Sequence, residues 1–523
     1  MGNDSDSTTA LTGAEAAVAS LAAHGVDVCF TNPGTSEMHV VAAFDQVPAV
    51  RPVLALFEGV ATGAADGYFR MAGRPAATLL HLGPGLANGI ANLHNARRAR
   101  SGIVNIVGDH ATDHLVLDAP LHSDLDGLAR TVSGSVVTPR TPADAGAAIA
   151  GAVGTASGIG AQIATVVLRA DVAWNTGGRV ATAIADAAPS ATVDRGVVDD
   201  LRALVTSGRK LGFLVGGRAL TEPSLAALAR IAASCNGKVL METFPARVPR
   251  GAGRPNFERL GYFAEQATAQ LINLDALVLV GVDEPVAFFA YPGRPSRLTP
   301  ETCDLYPLIR PGVDPAPILD AVAADVADDV EPAWGGAERP ARPRGALTPA
   351  TFAAAIGATL PEGAIVSDEA NTSGAGLAAA TAGAPAHDWL SLTGGAIGQG
   401  LPVAVGAAVA CPDRRVVALE SDGSAQYTIQ SLWTMAREQL DVTVVFLTNR
   451  SYAILNIELS RVGAAADTSR SLLSLDDPAI DVVSIARGYG IDAERATSAE
   501  HLVELLEASY ATPGPRVIDV VFD

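Results

Sequence analysis

Residues 415–455, RVVALESDGSAQYTIQSLWTMAREQLDVTVVFLTNRSYAIL, constrain the fold of this chain more than any other stretch. Residues 415–420 and 442–447 are short apolar runs of strand type. Between them Ile429, Leu432, Trp433, Ala436 and Leu440 recur at helical spacing. The pattern predicts a strand–loop–helix–strand unit. A right-handed crossover lays the two strands side by side with their carboxyl ends on one edge. Asp422 and Asn449 stand at those two ends, so both oxygen ligands face one small volume.

That volume suits a hard divalent cation. Magnesium takes oxygen ligands at about 2.0–2.1 Å, some from protein and the rest from water or substrate phosphate. Asp422 brings charge, Asn449 an amide oxygen, and the backbone near Ser451 a third ligand. Gly423 and Ser424 open the helix and leave free amides aimed at the same spot, as in other phosphate cradles. No Lys or Arg lies between Ser421 and Ala436, so metal, amides and helix dipole must hold any phosphate here. Taken alone, the four residues from Ser421 also fit an ordinary crossover turn.

The spacing narrows the choice. Asp422 and Asn449 are 27 residues apart. This resembles the metal–diphosphate motif of thiamine-diphosphate enzymes, GDG followed some two dozen residues later by NN. Here it reads SDG and TN; Ser421 and Thr448 depart from the pattern, and neither is an expected metal ligand. A second element lies at residues 54–74, LALFEGVATGAADGYFRMAGR. By itself Glu58 reads as a first-turn residue favoured by the helix dipole. The segment is similar to the one in which thiamine enzymes place the Glu that bonds the coenzyme pyrimidine. That chemistry needs a carboxyl in a dry pocket, and Leu54, Leu56, Phe57 and Val60 are expected to provide it.

Further segments, NPGTSE at 32–37, LLHLGPGLANG at 79–89, SDEANTS at 367–373 and SLTGGAIGQGLP at 391–402, extend the resemblance over nearly the whole chain. It is similar to the benzoylformate decarboxylase and acetolactate synthase group, especially to acetolactate-synthase-like large subunits. The resemblance implies that Glu58 activates thiamine diphosphate and that Asp422, Asn449 and Ser451 hold Mg2+. It also implies that Asn371, Thr372, Gly395, Ile397, Gly423 and Ser424 contact the coenzyme, with Ile397 propping its bent shape. His81 matches a proton-shuttling histidine; the alternative is a core histidine bonded to a backbone carbonyl. Thr35 matches a polar residue near the substrate carboxylate.

Two departures bear on the substrate. The region that carries a second catalytic histidine in benzoylformate decarboxylase reads Phe288-Phe289-Ala290-Tyr291 here. Leu455 stands where pyruvate decarboxylases place a Glu, so Ile454 and Leu455 are expected to form an apolar wall, with Glu458 turned away. His110, His114 and His122 are spaced for a helical metal site, but Pro120 and its neighbours break such a helix. His122 is taken as a pocket residue and the other two as surface.

The remaining expectations are broader. At 523 residues the chain should hold about three domains. Polar or Pro/Gly-rich stretches at 187–196 and 331–349 divide it into 1–186, 197–330 and 345–523. Each block alternates apolar strands (78–80, 103–107, 211–215, 277–280) with Ala-rich helices, which predicts three doubly wound α/β domains with mainly parallel sheets. By resemblance these are pyrimidine-binding, middle and diphosphate-binding domains. Residues 281–296 lack the arginine-rich stretch of flavin-binding acetolactate synthases, so FAD is not expected. Gly83, Gly85 and Gly89 do not match a dinucleotide fingerprint, because the third glycine is misplaced.

A net charge of −20 disfavours nucleic acid and anionic membrane surfaces. Four cysteines without CxxC spacing suggest reduced thiols in a cytoplasmic protein. No apolar run of about 20 residues and no signal peptide is evident. The reaction implied is decarboxylation of a 2-oxo acid, carboligation with an aldehyde or ketone, or both, in a homodimer or homotetramer. Two alternatives stand beside it: acetolactate synthase proper, joining two pyruvates, and a degenerate non-catalytic member. Intact Glu58, Asp422 and Asn449 argue against the latter.

Overall fold

The computed structural model describes residues 10–183, 193–332, 338–463, 469 and 471–522. Most of the 187–196 linker and residues 333–337 of the second linker lie outside the described residues. The chain forms two compact units, one of residues 1–187 with 401–411 and 428–438, the other of the remainder.

The first unit is built on a six-stranded parallel sheet. Its strands are β1 (Val28–Asn32), β2 (Arg51–Leu54), β3 (Ala76–Leu80), β4 (Ile103–Asp109), β5 (Ser135–Val137) and β6 (Ile163–Arg169), in the order β2-β1-β3-β4-β6-β5. β3 and β4 are buried at every residue, as strands covered on both faces must be. The helix Glu58–Ala72 is rich in Gly and Ala for a steric reason. A Cβ on Gly67 would sit 2.2 Å from the Val403 carbonyl oxygen, and one on Gly406 would sit 1.8 Å from that of Ala64. Only glycine permits this approach of the two helices. Buried Asp66 is held by Arg70 at 2.6 Å and by the Ser101 hydroxyl at 2.5 Å, so its charge is paired inside the core.

The second unit holds two sheets. The first of these contains β7 (Leu211–Val215), β8 (Lys238–Met241), β10 (Glu258–Arg259), β11 (Ala276–Val280) and β12 (Asp304–Ile309), all parallel, in the order β10-β8-β7-β11-β12. The other runs β17-β18-β16-β15-β13-β14-β9. Its members are β9 (Val248–Arg250), β13 (Ile365–Glu369), β14 (His387–Ser391), β15 (Val416–Ser421), β16 (Val442–Thr448), β17 (Asp492–Arg495) and β18 (Arg516–Val521). All its pairs are parallel except β9 with β14. The three mainly parallel α/β sheets are those expected from the sequence.

One feature was not expected. β9 comes from the middle of the chain yet pairs with the edge of the third sheet. One buried cluster takes in Phe213, Leu228 and Val278 around the second sheet, Val248 of β9, and Phe352 and Val445 around the third. Arg250 of β9 also lies over the Trp389 ring, 5.3 Å from its centroid.

Beside that ring sits His387, whose Nδ1 bonds the Pro385 carbonyl at 2.8 Å. Burial pushes its pKa down to about 4. A base whose folded pKa is depressed contributes stability above its unfolded value, near 6.5, and loses it as pH falls toward 4. His387→Gln is therefore expected to flatten the fall in melting temperature between about pH 6.5 and 4. Parallel melting curves for variant and parent across that range would refute the assignment.

All four cysteines, Cys29, Cys235, Cys303 and Cys411, are free. Among the described residues no helix is long and apolar enough to cross a membrane.

Candidate active site

The carboxyl edge of the first sheet collects the residues expected at the pyrimidine side. Glu58 opens its helix after Phe57, which offers no side-chain cap, so the carboxylate sits in the positive first turn. Its Oε2 accepts from Asn88 Nδ2 at 3.0 Å. Its Oε1 lies 3.2 Å from where a Gly85 Cβ would be, and His81 Cβ lies 3.4 Å from the same point. Gly85 therefore leaves room for Glu58 and His81 to share one corner. Of the four residues expected to dry this site, Val60 is buried and Leu54 is half-buried, but Leu56 is 42% exposed. Leu56 precedes the helix and turns outward, which corrects the expectation for that residue.

His81 is not a core histidine bonded to a backbone carbonyl. It follows β3 and caps the helix Leu82–Ala99. Its Nδ1 bonds Glu37 Oε2 at 2.8 Å and Ser36 Oγ at 3.2 Å. A carboxylate only accepts, so Nδ1 carries a proton and Nε2 is the ring nitrogen not engaged by Glu37. Glu37 is buried and is satisfied by three donors, Gly34 N, Ser36 Oγ and His81 Nδ1, each at 2.8 Å. A Cβ on Gly34 would fall 2.2 Å from the His81 ring, so glycine is required there. Thr35 heads the same turn, Thr35–Glu37, and is exposed.

His122 is exposed, its Nδ1 bonded to Asp118 Oδ1 at 3.0 Å. His114 is exposed as expected of a surface residue, but His110 is half-buried and its Nε2 is buried without a partner. The two rings lie 5.2 Å apart. The only regular helix here is Thr112–Leu115, too short to align three histidines.

The second unit gathers the residues expected at the diphosphate side. β15 and β16 run parallel with Ser421 opposite Leu447, which brings Asp422 and Asn449 to one edge. Asp422 opens a short helix, Asp422–Ala425. It is buried; Oδ1 accepts from Gly423 N at 3.0 Å and Oδ2 from Arg450 N at 2.7 Å. Burial raises its pKa even so. Asn449 Oδ1 accepts from Ser451 N at 3.0 Å, and its Nδ2 reaches Ser373 Oγ at 3.5 Å. Asn371, at φ +48°, donates from Nδ2 to Ser421 Oγ at 3.2 Å. A Cβ on Gly423 would lie 2.7 Å from the Tyr452 ring. Gly398 brings the 393–400 loop to the same turn, 3.5 Å from the Ser424 carbonyl oxygen by its missing Cβ. Asp422, Asn449, Ser451, Asn371, Gly423 and Ser424 thus share one sheet edge. Thr372 lies beside Asn371 in the turn Asn371–Gly374, and Gly395 and half-buried Ile397 lie in the loop.

On the helix Ala453–Arg461, Ile454 is half-buried and Leu455 is 45% exposed. Glu458 is turned to a defined partner: the Tyr291 hydroxyl donates to its carboxylate. Arg461 stacks on Phe263 and Tyr291, at 4.7 Å and 5.1 Å from their centroids. The segment that lacks a histidine thus supplies a phenol to this helix.

The side chains present fit a hard cation such as magnesium. A buried carboxylate and an amide oxygen are hard ligands, and Asp422 carries charge that burial opposes. Among the described residues no group of three or more His, Cys, Asp or Glu is placed to hold a metal ion.

Comparison with known proteins identifies the family. The model for the N-terminal domain of thiamine pyrophosphate enzymes matches residues 11–129, and the model for their C-terminal domain matches residues 371–520. This chain belongs to the thiamine pyrophosphate enzyme family. It is 55% identical to a Mycobacterium tuberculosis protein provisionally named acetolactate synthase large subunit IlvX, over 98% of this chain and 99% of the relative. It is 28% identical to benzoylformate decarboxylase of Pseudomonas aeruginosa, over 95% and 96%. In fold it is similar to a thiamine diphosphate-dependent 4-hydroxybenzoylformate decarboxylase of Rhodococcus jostii, at 24% identity and TM-score 0.86, over 98% and 100% of the two chains. The chain is thus a thiamine-diphosphate-dependent enzyme with decarboxylase and acetolactate-synthase-like homologues.

Sequence reasoning missed Glu37, Ser36 and Asn88. Glu37 stood in the quoted NPGTSE segment, but its partner His81 is 44 residues away, beyond any local spacing rule.

Proposed function

We propose that this thiamine-diphosphate-dependent enzyme requires Mg2+, decarboxylates a 2-oxo acid, and can pass the resulting acyl unit to an aldehyde or ketone. The observation that carries the reading is the corner formed by Glu58, Gly85 and His81, with His81 held by buried Glu37. Glu58 holds or releases a proton at the coenzyme pyrimidine. Asp422, the Asn449 amide oxygen and a carbonyl near Ser451 hold the cation. Gly423, Ser424, Asn371 and Thr372 receive the diphosphate, and Gly395 and Ile397 support the coenzyme body. Bound coenzyme supplies the electron sink for loss of carbon dioxide. His81 delivers or accepts a proton at Nε2, because Nδ1 is committed to Glu37. Thr35 lies near the substrate carboxylate, His122 belongs to the pocket, and Ile454 and Leu455 give an apolar wall.

The proposed domains are 1–186, 197–330 and 345–523, with Glu58 of one subunit and Asp422 of another serving one coenzyme in a homodimer or homotetramer. The protein works in the cytoplasm, without flavin and without nucleic acid. A second reading, acetolactate synthase proper, is favoured by the 55% identity to the relative of that name. A panel of 2-oxo acids, each alone and with an acceptor aldehyde, decides between them. Carbon dioxide release from several acids supports the first reading; acetolactate from pyruvate alone supports the second. No turnover of any 2-oxo acid by coenzyme-loaded protein overturns both.

Glu37→Gln should lower kcat by about 10–100-fold, the scale of a lost charged hydrogen bond, and shift the pH profile. The amide no longer fixes the Nδ1–H tautomer, so fewer molecules present Nε2 correctly. A parental pH profile in the variant would argue against the dyad.

A further inference from the structure

Two buried carboxylates lie beneath the diphosphate turn. Glu369 ends β13 and Glu420 lies next to the end of β15, and the parallel register sets them opposite each other. They are 1% and 0% exposed. Glu369 Oε1 accepts from Gly398 N at 2.8 Å and Oε2 from Gly400 N at 2.5 Å. Ser424 Oγ bonds Glu420 Oε1 at 2.5 Å and also reaches the Ser421 carbonyl at 3.2 Å. Both Oε2 atoms converge on Gly400: a Cβ there would lie 2.4 Å from that of Glu420 and 3.1 Å from that of Glu369.

Burying a carboxylate is costly, and well-packed apolar residues hold a sheet more cheaply. What apolar residues cannot provide is an acceptor for loop amides or a partner for a turn hydroxyl. Residues 393–399 have no regular structure, and Gly400 opens the next helix, Gly400–Ala410. The loop closes on itself through Thr393 N and Gln399 Oε1 at 3.1 Å, and is held from below by Glu369. The turn is tied to the same strand, since Ser421 Oγ donates to the Glu369 carbonyl at 3.0 Å. One pair of side chains therefore governs the two backbone segments that carry Ile397 and Gly423–Ser424. Burial pushes the Glu369 pKa up to about 7, against the pull of the Gly400, Gly398 and Gln399 amides.

We infer that Glu369 and Glu420 are positioning residues for the coenzyme: through the 393–400 loop and the 421–424 turn they set Ile397 and the turn amides in the arrangement that receives it. This rests on the coenzyme site proposed above.

The test is calorimetric titration of thiamine diphosphate with magnesium into the full-length protein, paired with KM and kcat. Glu369→Gln turns an amide-accepting oxygen into a donor, so coenzyme affinity should fall about 10–100-fold. The KM for coenzyme should rise in step, while kcat at saturating coenzyme changes far less. Glu420→Leu should weaken binding similarly, and Glu420→Gln, which can still bond Ser424, should restore it. Parental affinity in Glu369→Gln overturns the inference. So does equal affinity in Glu420→Leu and Glu420→Gln, which decides the matter if Glu369→Gln does not fold. Asp422→Ala separates the two levels. If that variant loses coenzyme while Glu369→Gln and Glu420→Leu keep it, only this inference fails; if Asp422→Ala keeps it, the site itself is misassigned.

Discussion

Glu58→Gln is expected to lower turnover by about 10²–10⁴-fold, the usual scale for a positioned proton-transfer group. That corresponds to roughly 3–5 kcal/mol of transition-state stabilisation. Gln keeps the length of the side chain and can still accept from Asn88 Nδ2, now 3.0 Å from Glu58 Oε2. On the function proposed, what it loses is the ability to exchange a proton with the coenzyme. The structural cost is small: a charge in the first turn of a helix contributes about 0.3–1 kcal/mol, a minor share of a domain's stability. The variant should therefore melt close to the parent while turnover collapses. Steady-state kinetics at saturating coenzyme, read beside a melting curve, checks both halves. Unchanged turnover removes Glu58 from the chemistry.

The second large effect is at the cation. Asp422→Ala should abolish magnesium-dependent retention of thiamine diphosphate, read by calorimetric titration with and without magnesium. The physical reason is the shortage of basic side chains. Asp422 is the charged residue in a turn that otherwise offers amides and a hydroxyl, and the chain as a whole carries −20. Without the cation, a diphosphate at this turn has only amide dipoles and a hydroxyl to offset its charge. The parent should bind the coenzyme tightly only with magnesium, and the variant weakly in both conditions. Equal affinity for variant and parent would place the diphosphate elsewhere.

Much of the site was legible because its parts lie at strand ends. The apolar runs around residues 415–420 and 442–447 became β15 and β16, and parallel pairing carried Asp422 and Asn449 to one edge. Glu58 opened the helix its small-residue sequence promised. The glycines had steric duties, but which ones could not be read locally: Gly67 and Gly406 answer to helices hundreds of residues apart in the chain. His81 was singled out by resemblance, while Glu37, which bonds it, was passed over for Thr35. Leu56 was expected inside from its hydrophobicity alone, and its position before the helix turned it out.

The sequence alone determined the alternation of strands and helices, the parallel sheets and the place of Asp422 and Asn449 at neighbouring strand tips, because hydrophobic period and crossover handedness are local or nearly local rules. Only the tertiary structure decided that β9 leaves its neighbours to edge the third sheet, that Glu37 clamps His81, and that Glu369 and Glu420 meet under one loop. Those outcomes depend on which buried polar groups find partners across long stretches of chain. Burial charges heavily for any that do not, and no spacing along the sequence records the match.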